Sequence, residues 1–500
     1  MEEKLQKFKK LSAEISNLRA TSAVLNWDQL VNMPAGAAED RGEQIATIEE
    51  ILHQKSTSEE LGRLLEDLSA DAKTLDADSD EARMIKVAKR QFDKAVKVPA
   101  DYVSENARVT TVAQSVWEKA KTESDFEIFR PYLQQVVDLR RQYADFFKPW
   151  DHVYDPLLDD FEPGMKTAEV QEIFGKLRPM QVELIKAIAQ KPQVEKSFLE
   201  LEYPEKGQLD FGVEVIRQFG YDWNHGRQDK SAHPFTTGFG LNDVRITTRF
   251  NTHYLPTAMF GTMHECGHAL YELGINKTYN RTPLADGASM AVHESQSRMW
   301  ENLVGRSRAF WKHYFPRLQT IFPSQLGNVN AEMFYKAVNA VEPSFIRTES
   351  DEATYNLHIM LRLEMEIALM EGSLAVKDAR EAWNEKFKAY LGLVPPDDAH
   401  GVLQDVHWSF GGLGYFPTYA LGNLVSVQIW ERMTRDIPDV EEQIGEAKFD
   451  GLLAWLREHV HIFGAKYEPQ ELMVKVTGSR ITPEPYMRYL ETKFGEIYAL

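Results

Sequence analysis

The chain of 500 residues has one cysteine, Cys266. A lone thiol excludes an intrachain disulfide and fits a reducing compartment. No run of 18 apolar residues occurs, so no membrane-spanning helix is expected. The opening Met1-Glu2-Glu3-Lys4-Leu5 lacks the apolar stretch of a secretory signal. Positive charge is scarce: 57 Lys and Arg stand against 76 Asp and Glu, for a net charge of −19. Nucleic acid is therefore not an expected partner, because its phosphates need Lys and Arg. No linker rich in Gly and Ser, no internal repeat and no low-complexity tract separates an independent domain. With 43% hydrophobic and 27% charged residues, the composition is that of a globular protein, expected in the cytoplasm.

What is present is mostly helical. Leu5, Phe8, Leu11, Ile15 and Leu18 recur at spacings of three and four, the stripe of an amphipathic helix. Residues 43–70 and 80–97 read as further helices, and Pro131 suits the first turn of another. The texture changes at Ser231. Val244, Ile246, Thr248 and Phe250 alternate with Arg245, Thr247 and Arg249, which predicts a strand with one buried face. This strand is either a cover for the core or an edge against which an extended peptide pairs.

Just beyond it lies His264-Glu265-Cys266-Gly267-His268. By composition alone such a pattern turns up in roughly one or two chains in a hundred of this length, so its surroundings matter. The flanks are apolar, and no proline falls between Met259 and Gly274. On that helix His264 and His268 share a face and can aim two imidazoles at one ion. Glu265 is turned about 100° away, placed to reach a water beside the metal. Cys266 lies about 200° round from the ligand face and should point into the core. Two His ligands and a general-base Glu form the zinc-peptidase arrangement.

A catalytic zinc needs a third protein ligand and an open position. Glu294, 26 residues past His268, is the candidate, in a second helix packed on the first. Glu294, Arg298 and Glu301 share one face of that helix. The alternative for Glu294 is a solvated surface position. Arg347 can either pair with Asp351 four residues on or hold a carboxylate with two parallel hydrogen bonds. Asp405-Val406-His407-Trp408 leads through Gly411, Gly412 and Gly414 to Tyr415, Pro417 and Tyr419. A Tyr or neutral His at this helix start can donate to the oxyanion of a tetrahedral intermediate.

Together these stretches resemble the carboxypeptidase Taq family of zinc metallopeptidases, over essentially the whole chain. His233-Pro234-Phe235 is similar to its HPF element, and Asp243 to Thr247 to its DxRxT. His264 to His268 and His293-Glu294-Ser295 are similar to its metal motifs. Ile346 to Glu352 is similar to its IRxxADE element, with Ser350 where Ala is usual. Asp405 to Trp408 and Gly414 to Gly422 match its last signature. The resemblance implies a mostly α fold with a deep substrate groove and a small β-sheet beside the HExxH helix. It also implies removal of single C-terminal residues from short or unstructured peptides, reluctance at C-terminal proline, and a homodimer. It favours Arg347 as a clamp for the substrate carboxylate.

The expectation is one peptidase domain over residues 1–500, with helical lobes flanking a groove and a metal-site core at about 231–425. His264, His268 and Glu294 hold one zinc ion, which cobalt can replace. Glu265 is the base. Tyr415, or His407 as second choice, stabilises the oxyanion. Arg347, Arg245, His233 and Tyr419 bind a peptide with a free C-terminus. An oligopeptidase with the same metal site and a helical protein with a structural metal are the alternatives. Intact Glu265 argues against the latter, since a structural site has no use for a base.

Overall fold

The computed structural model describes all of Met1–Leu500. Four helices open the chain: Glu2–Val31, Ala38–Ser56, Glu59–Asp71 and Asp80–Lys97. The stretch expected as one helix over 43–70 is broken at Thr57-Ser58, where the Ser58 hydroxyl caps the next helix by accepting from Leu61 N–H. Such a cap satisfies one of the N–H groups that a helix start leaves unpaired. These helices build a small core of their own. Leu5, Phe8, Leu61, Leu65, Leu68, Met84 and Ile85 pack with Leu241, Ile275, Tyr279 and Leu284 of the later chain. Ala38–Ser56 buries no residue.

The remaining helices share one large apolar core of 104 buried residues, running from Val109 to Tyr498. Pro131 lies inside the helix Phe126–Asp145 rather than at its start, because Asp125 supplies the cap. No helix is long and apolar enough to cross a membrane.

A three-stranded sheet interrupts the helices: β1 (Gln228–Lys230), β2 (Thr236–Gly238) and β3 (Val244–Thr248), in the order β1-β3-β2. β1 runs parallel to β3, and β2 antiparallel to it. β3 is therefore paired on both sides and cannot accept a peptide strand, which overturns its reading as an edge. β2 is an edge, and it packs beside the HExxH helix, Pro256–Gly274. Val244 and Ile246 are buried as their alternation predicts. Thr247 is buried too, because its hydroxyl accepts from Phe235 N–H.

Candidate active site

The HExxH helix begins with Pro256 at its first position, where a missing N–H leaves nothing unpaired. It packs on the helix Met290–Arg298, which carries Glu294, and that helix packs in turn on Pro417–Asp436. Two glycines permit this stack. A Cβ on Gly267 would stand 2.6 Å from Ser297 Cα, and one on Gly422 would stand 2.6 Å from Glu294 Cβ. Both separations are shorter than packed atoms tolerate, so any larger residue would push the Glu294 helix away.

Within this stack the Glu294 Oε2 lies 3.6 Å from His264 Nε2 and 3.5 Å from His268 Nε2. Ligand bonds of the length zinc makes, set tetrahedrally, separate ligand atoms by about 3.3–3.4 Å. The three side chains thus fit one small divalent ion with little movement, and they are the His/Glu group that can hold one. Each ring is oriented from behind. His264 Nδ1 meets Glu301 Oε2 at 2.8 Å, and His268 Nδ1 meets His293 Nδ1 at 2.5 Å. His293 Nε2 then reaches Glu272 Oε1 at 3.2 Å. Such outer partners set the tautomer and leave Nε2 free for the metal. Glu272 also lines a cavity of about 360 Å³ between the first helix and the segments around Phe239 and Arg281.

Arg298 donates from Nε to Glu294 Oε1 at 2.7 Å, as their shared face predicts, and from Nη1 to Glu301 Oε2 at 3.1 Å, although Glu301 lies past the end of this helix in the π-helical segment Met299–Val304 that continues it. Burial opposes charge on Glu294, but Arg298 and His264 outweigh it and hold its carboxyl well below the usual range. Glu301 is likewise held down, to about 2, against burial by Arg298 and His264. Burial lowers His268 to about 3, so it is neutral and able to bind a metal at neutral pH. Burial opposes charge on His264 as well, yet Glu294 and Glu301 leave its pKa raised. Glu265 is buried, and its carboxyl is pushed up by desolvation. The Thr236 hydroxyl of β2 sits 2.7 Å from Glu265 Oε2, so the sheet orients the expected base. Cys266 is fully buried, as its position on the helix predicts.

A second cluster adjoins the first. Arg347 is buried and donates from Nε and Nη2 to Asp405 Oδ1, at 3.0 and 2.9 Å. Its Nη1 donates to the Tyr355 hydroxyl at 3.0 Å. The ion pair with Asp351 does not form. Asp351 instead caps the helix Glu352–Glu371, accepting from Ala353 and Thr354 N–H. Arg362, fully buried, donates from Nε to Asp405 Oδ2 at 2.7 Å. Arg347 lies 5.0 Å from the centre of the Tyr419 ring, and Arg298 lies 4.7 Å from that of Tyr355. The two clusters thus meet across aromatic rings. Tyr415 stands edge-on to Tyr419, and His407 lies against Tyr415 and Phe416. Burial raises Tyr415 to about 12 and lowers His407 to about 4, so Tyr415 keeps its proton and His407 is neutral near pH 7.

No hydrogen bond joins the other two residues to this cluster. Arg245 grips Asp243 with Nε and Nη2, at 2.9 and 2.8 Å, between the Trp27 and Phe239 rings. His233 is exposed, and its carbonyl accepts from the Ser231 hydroxyl. Sequence reasoning missed Glu272, Thr236, Asp405 as the partner of Arg347, and Arg362. Asp405 lies in a motif that was noticed and Arg362 in none, and no spacing links the two.

Residues 7–494 match the family described as carboxypeptidase Taq (M32) metallopeptidase. The chain belongs to that family. It is 40% identical to thermostable carboxypeptidase 1 of Thermus thermophilus, over 99% of this chain and 98% of that one. It is 36% identical to carboxypeptidase 1 of Bacillus subtilis, over 99% of each. Among solved structures, the M32 carboxypeptidase of Deinococcus radiodurans superposes with a TM-score of 0.97 at 40% identity, covering 99% of this chain and all of that one. A Pyrococcus furiosus carboxypeptidase superposes with a TM-score of 0.94 at 35% identity, covering 98% of this chain and 99% of the other. This protein is accordingly a metallocarboxypeptidase with a mostly helical fold.

Proposed function

We propose that the enzyme uses one zinc ion, held by His264, His268 and Glu294, to release single residues from the C-termini of peptides. When bound, the ion would acidify water and polarise the scissile carbonyl. Glu265, held by Thr236, takes the proton from the attacking water and later delivers it to the leaving amine. Tyr415, protonated near neutral pH, donates to the developing oxyanion, with the neutral His407 as second candidate. Arg347 holds the terminal carboxylate, with Tyr419 beside it. Arg245 and His233 contribute farther along the substrate.

One observation carries the exopeptidase part. Two buried guanidiniums, Arg347 and Arg362, share the single carboxylate of Asp405. Glu366 also acts on Arg362, whereas Arg347 has Asp405 as its acidic partner and must share it with Arg362, so a further anion beside Arg347 is favoured in this low-dielectric site. A substrate carboxylate is such an anion, and the Arg fork suits its geometry. The test is a peptide of mixed sequence supplied as the free acid and as its C-terminal amide, with products followed by mass spectrometry over time. Stepwise loss of single residues from the acid alone is expected. Equal cleavage of both forms would favour an oligopeptidase instead. The whole chain is proposed to act as one peptidase unit in the cytoplasm and to pair as a homodimer, which sedimentation equilibrium checks.

A further inference from the structure

The loop Trp408 to Gly414 lies directly between His407 and Tyr415. It contains three glycines, Gly411, Gly412 and Gly414, and a glycine-rich segment loses much conformational entropy when ordered. Gly414 adopts φ +100°, and a Cβ there would strike the Leu157 carbonyl. The loop therefore needs an external anchor to hold one shape.

That anchor is a carboxylate. Glu366, fully buried on the helix Glu352–Glu371, accepts from Trp408 Nε1 on Oε1 at 2.8 Å. Its Oε2 accepts from Gly414 N–H at 2.9 Å and from the Tyr154 hydroxyl at 2.6 Å. One side chain thus grips both ends of the loop. The same helix holds the approach to the loop through Arg362 on Asp405. Donors on both oxygens explain why the residue is an acid. A glutamine in this place would turn its NH₂ toward Trp408 Nε1–H or toward Gly414 N–H, leaving one tether broken.

We propose that Glu366 is a positioning residue, whose grip on Trp408 and Gly414 sets Tyr415 against the metal centre. The proposal rests on the reading of Tyr415 as the oxyanion donor, and its test separates the two. The variants are Glu366→Gln, Trp408→Phe, Tyr415→Phe and the Glu366→Gln/Tyr415→Phe double, all in the zinc-loaded enzyme. Trp408→Phe keeps an aromatic ring in the core and removes the indole donor while leaving the Glu366 carboxylate in place, so it remains informative if Glu366→Gln folds poorly. The readouts are kcat and KM on one blocked dipeptide, zinc content, and affinity for a phosphinic peptide that mimics the tetrahedral intermediate.

Misplacing a reacting group costs up to roughly a hundredfold. Glu366→Gln and Trp408→Phe should therefore lose roughly tenfold in kcat with KM and zinc content unchanged. Phosphinic affinity should fall by the same factor. The double variant should lose little beyond Tyr415→Phe alone, because the tether acts through that hydroxyl. Full kcat in Glu366→Gln or Trp408→Phe beside a crippled Tyr415→Phe overturns the positioning role alone. A double variant whose losses multiply does the same. Full kcat in Tyr415→Phe overturns the assignment of the oxyanion donor.

Discussion

Two buried clusters of charge lie side by side, one built around carboxylates and the other around guanidiniums. Around the metal ligands, the carboxylates of Glu265, Glu294 and Glu301 face the guanidiniums of Arg298 and Arg306. Around Arg347, two guanidiniums share Asp405, and Glu366 is the further carboxylate near Arg362. The first holds the His/Glu group that suits a cation, and in the second Arg347 shares its one carboxylate partner with Arg362, which suits an anion. A buried ion pair is by itself weak evidence for anything but structure. A carboxylate beside two imidazoles and a guanidinium that must share its carboxylate are stronger evidence when they adjoin, because each is stabilised by a ligand of the opposite sign. A peptidase that works from the C-terminus needs a metal and a carboxylate site one residue apart. Tyr355 lies between the two clusters, with Arg298 over its ring and its hydroxyl accepting from Arg347.

The comparison breaks most completely if the cation is removed. Chelation should abolish activity, and added zinc or cobalt should restore it, with metal content followed by atomic emission. Full activity in metal-free protein would end the metallopeptidase reading of this site. Glu265→Gln comes next. It removes the base and keeps the ligands, so turnover should fall by a factor of roughly 10² or more while bound metal persists. Near wild-type turnover in this variant would assign the base elsewhere.

The anion side is addressed by Arg347→Ala. Loss of charge-assisted contacts worth about 1.5–3 kcal/mol should lower kcat/KM roughly ten- to a hundredfold on a free-acid peptide. The C-terminal amide should be affected much less, and Lys should recover only part, since a point charge cannot make the fork. Equal losses on both substrates would return Arg347 to a structural role. The smallest effect is expected at Gly422→Ala. The added methyl meets Glu294 Cβ and should destabilise the fold by about 1–3 kcal/mol, read by thermal denaturation, with weaker metal binding. Unchanged metal affinity there would mean that Glu294 does not depend on how closely the two helices pack.

Much of this was legible from residues alone, and the reason is geometric. His264 and His268 share a helix face, and Glu294, Arg298 and Glu301 share another, because a helix fixes what lies three and four residues away. The burial of Cys266 follows from the same rule. The alternation at Val244 to Thr248 announced a strand, since side chains on a strand point to opposite faces in turn. Its place in the sheet was not legible, because pairing order depends on β1 and β2, two strands of three residues each.

What the sequence by itself determined is therefore local: the helical bulk, the metal motif, a candidate third ligand and a family signature spread along the chain. Only the tertiary structure decided which charges meet. Asp351 stands four residues from Arg347 and could have paired with it, but it caps a helix start. Arg347 reaches Asp405, 58 residues away, instead. Helix caps are settled by the nearest backbone N–H groups, whereas the partner of a buried guanidinium is settled by whichever carboxylate packing brings within reach. The grip of Glu366 on Trp408 and Gly414 is of the same kind, since no spacing rule connects residues brought together by a folded core.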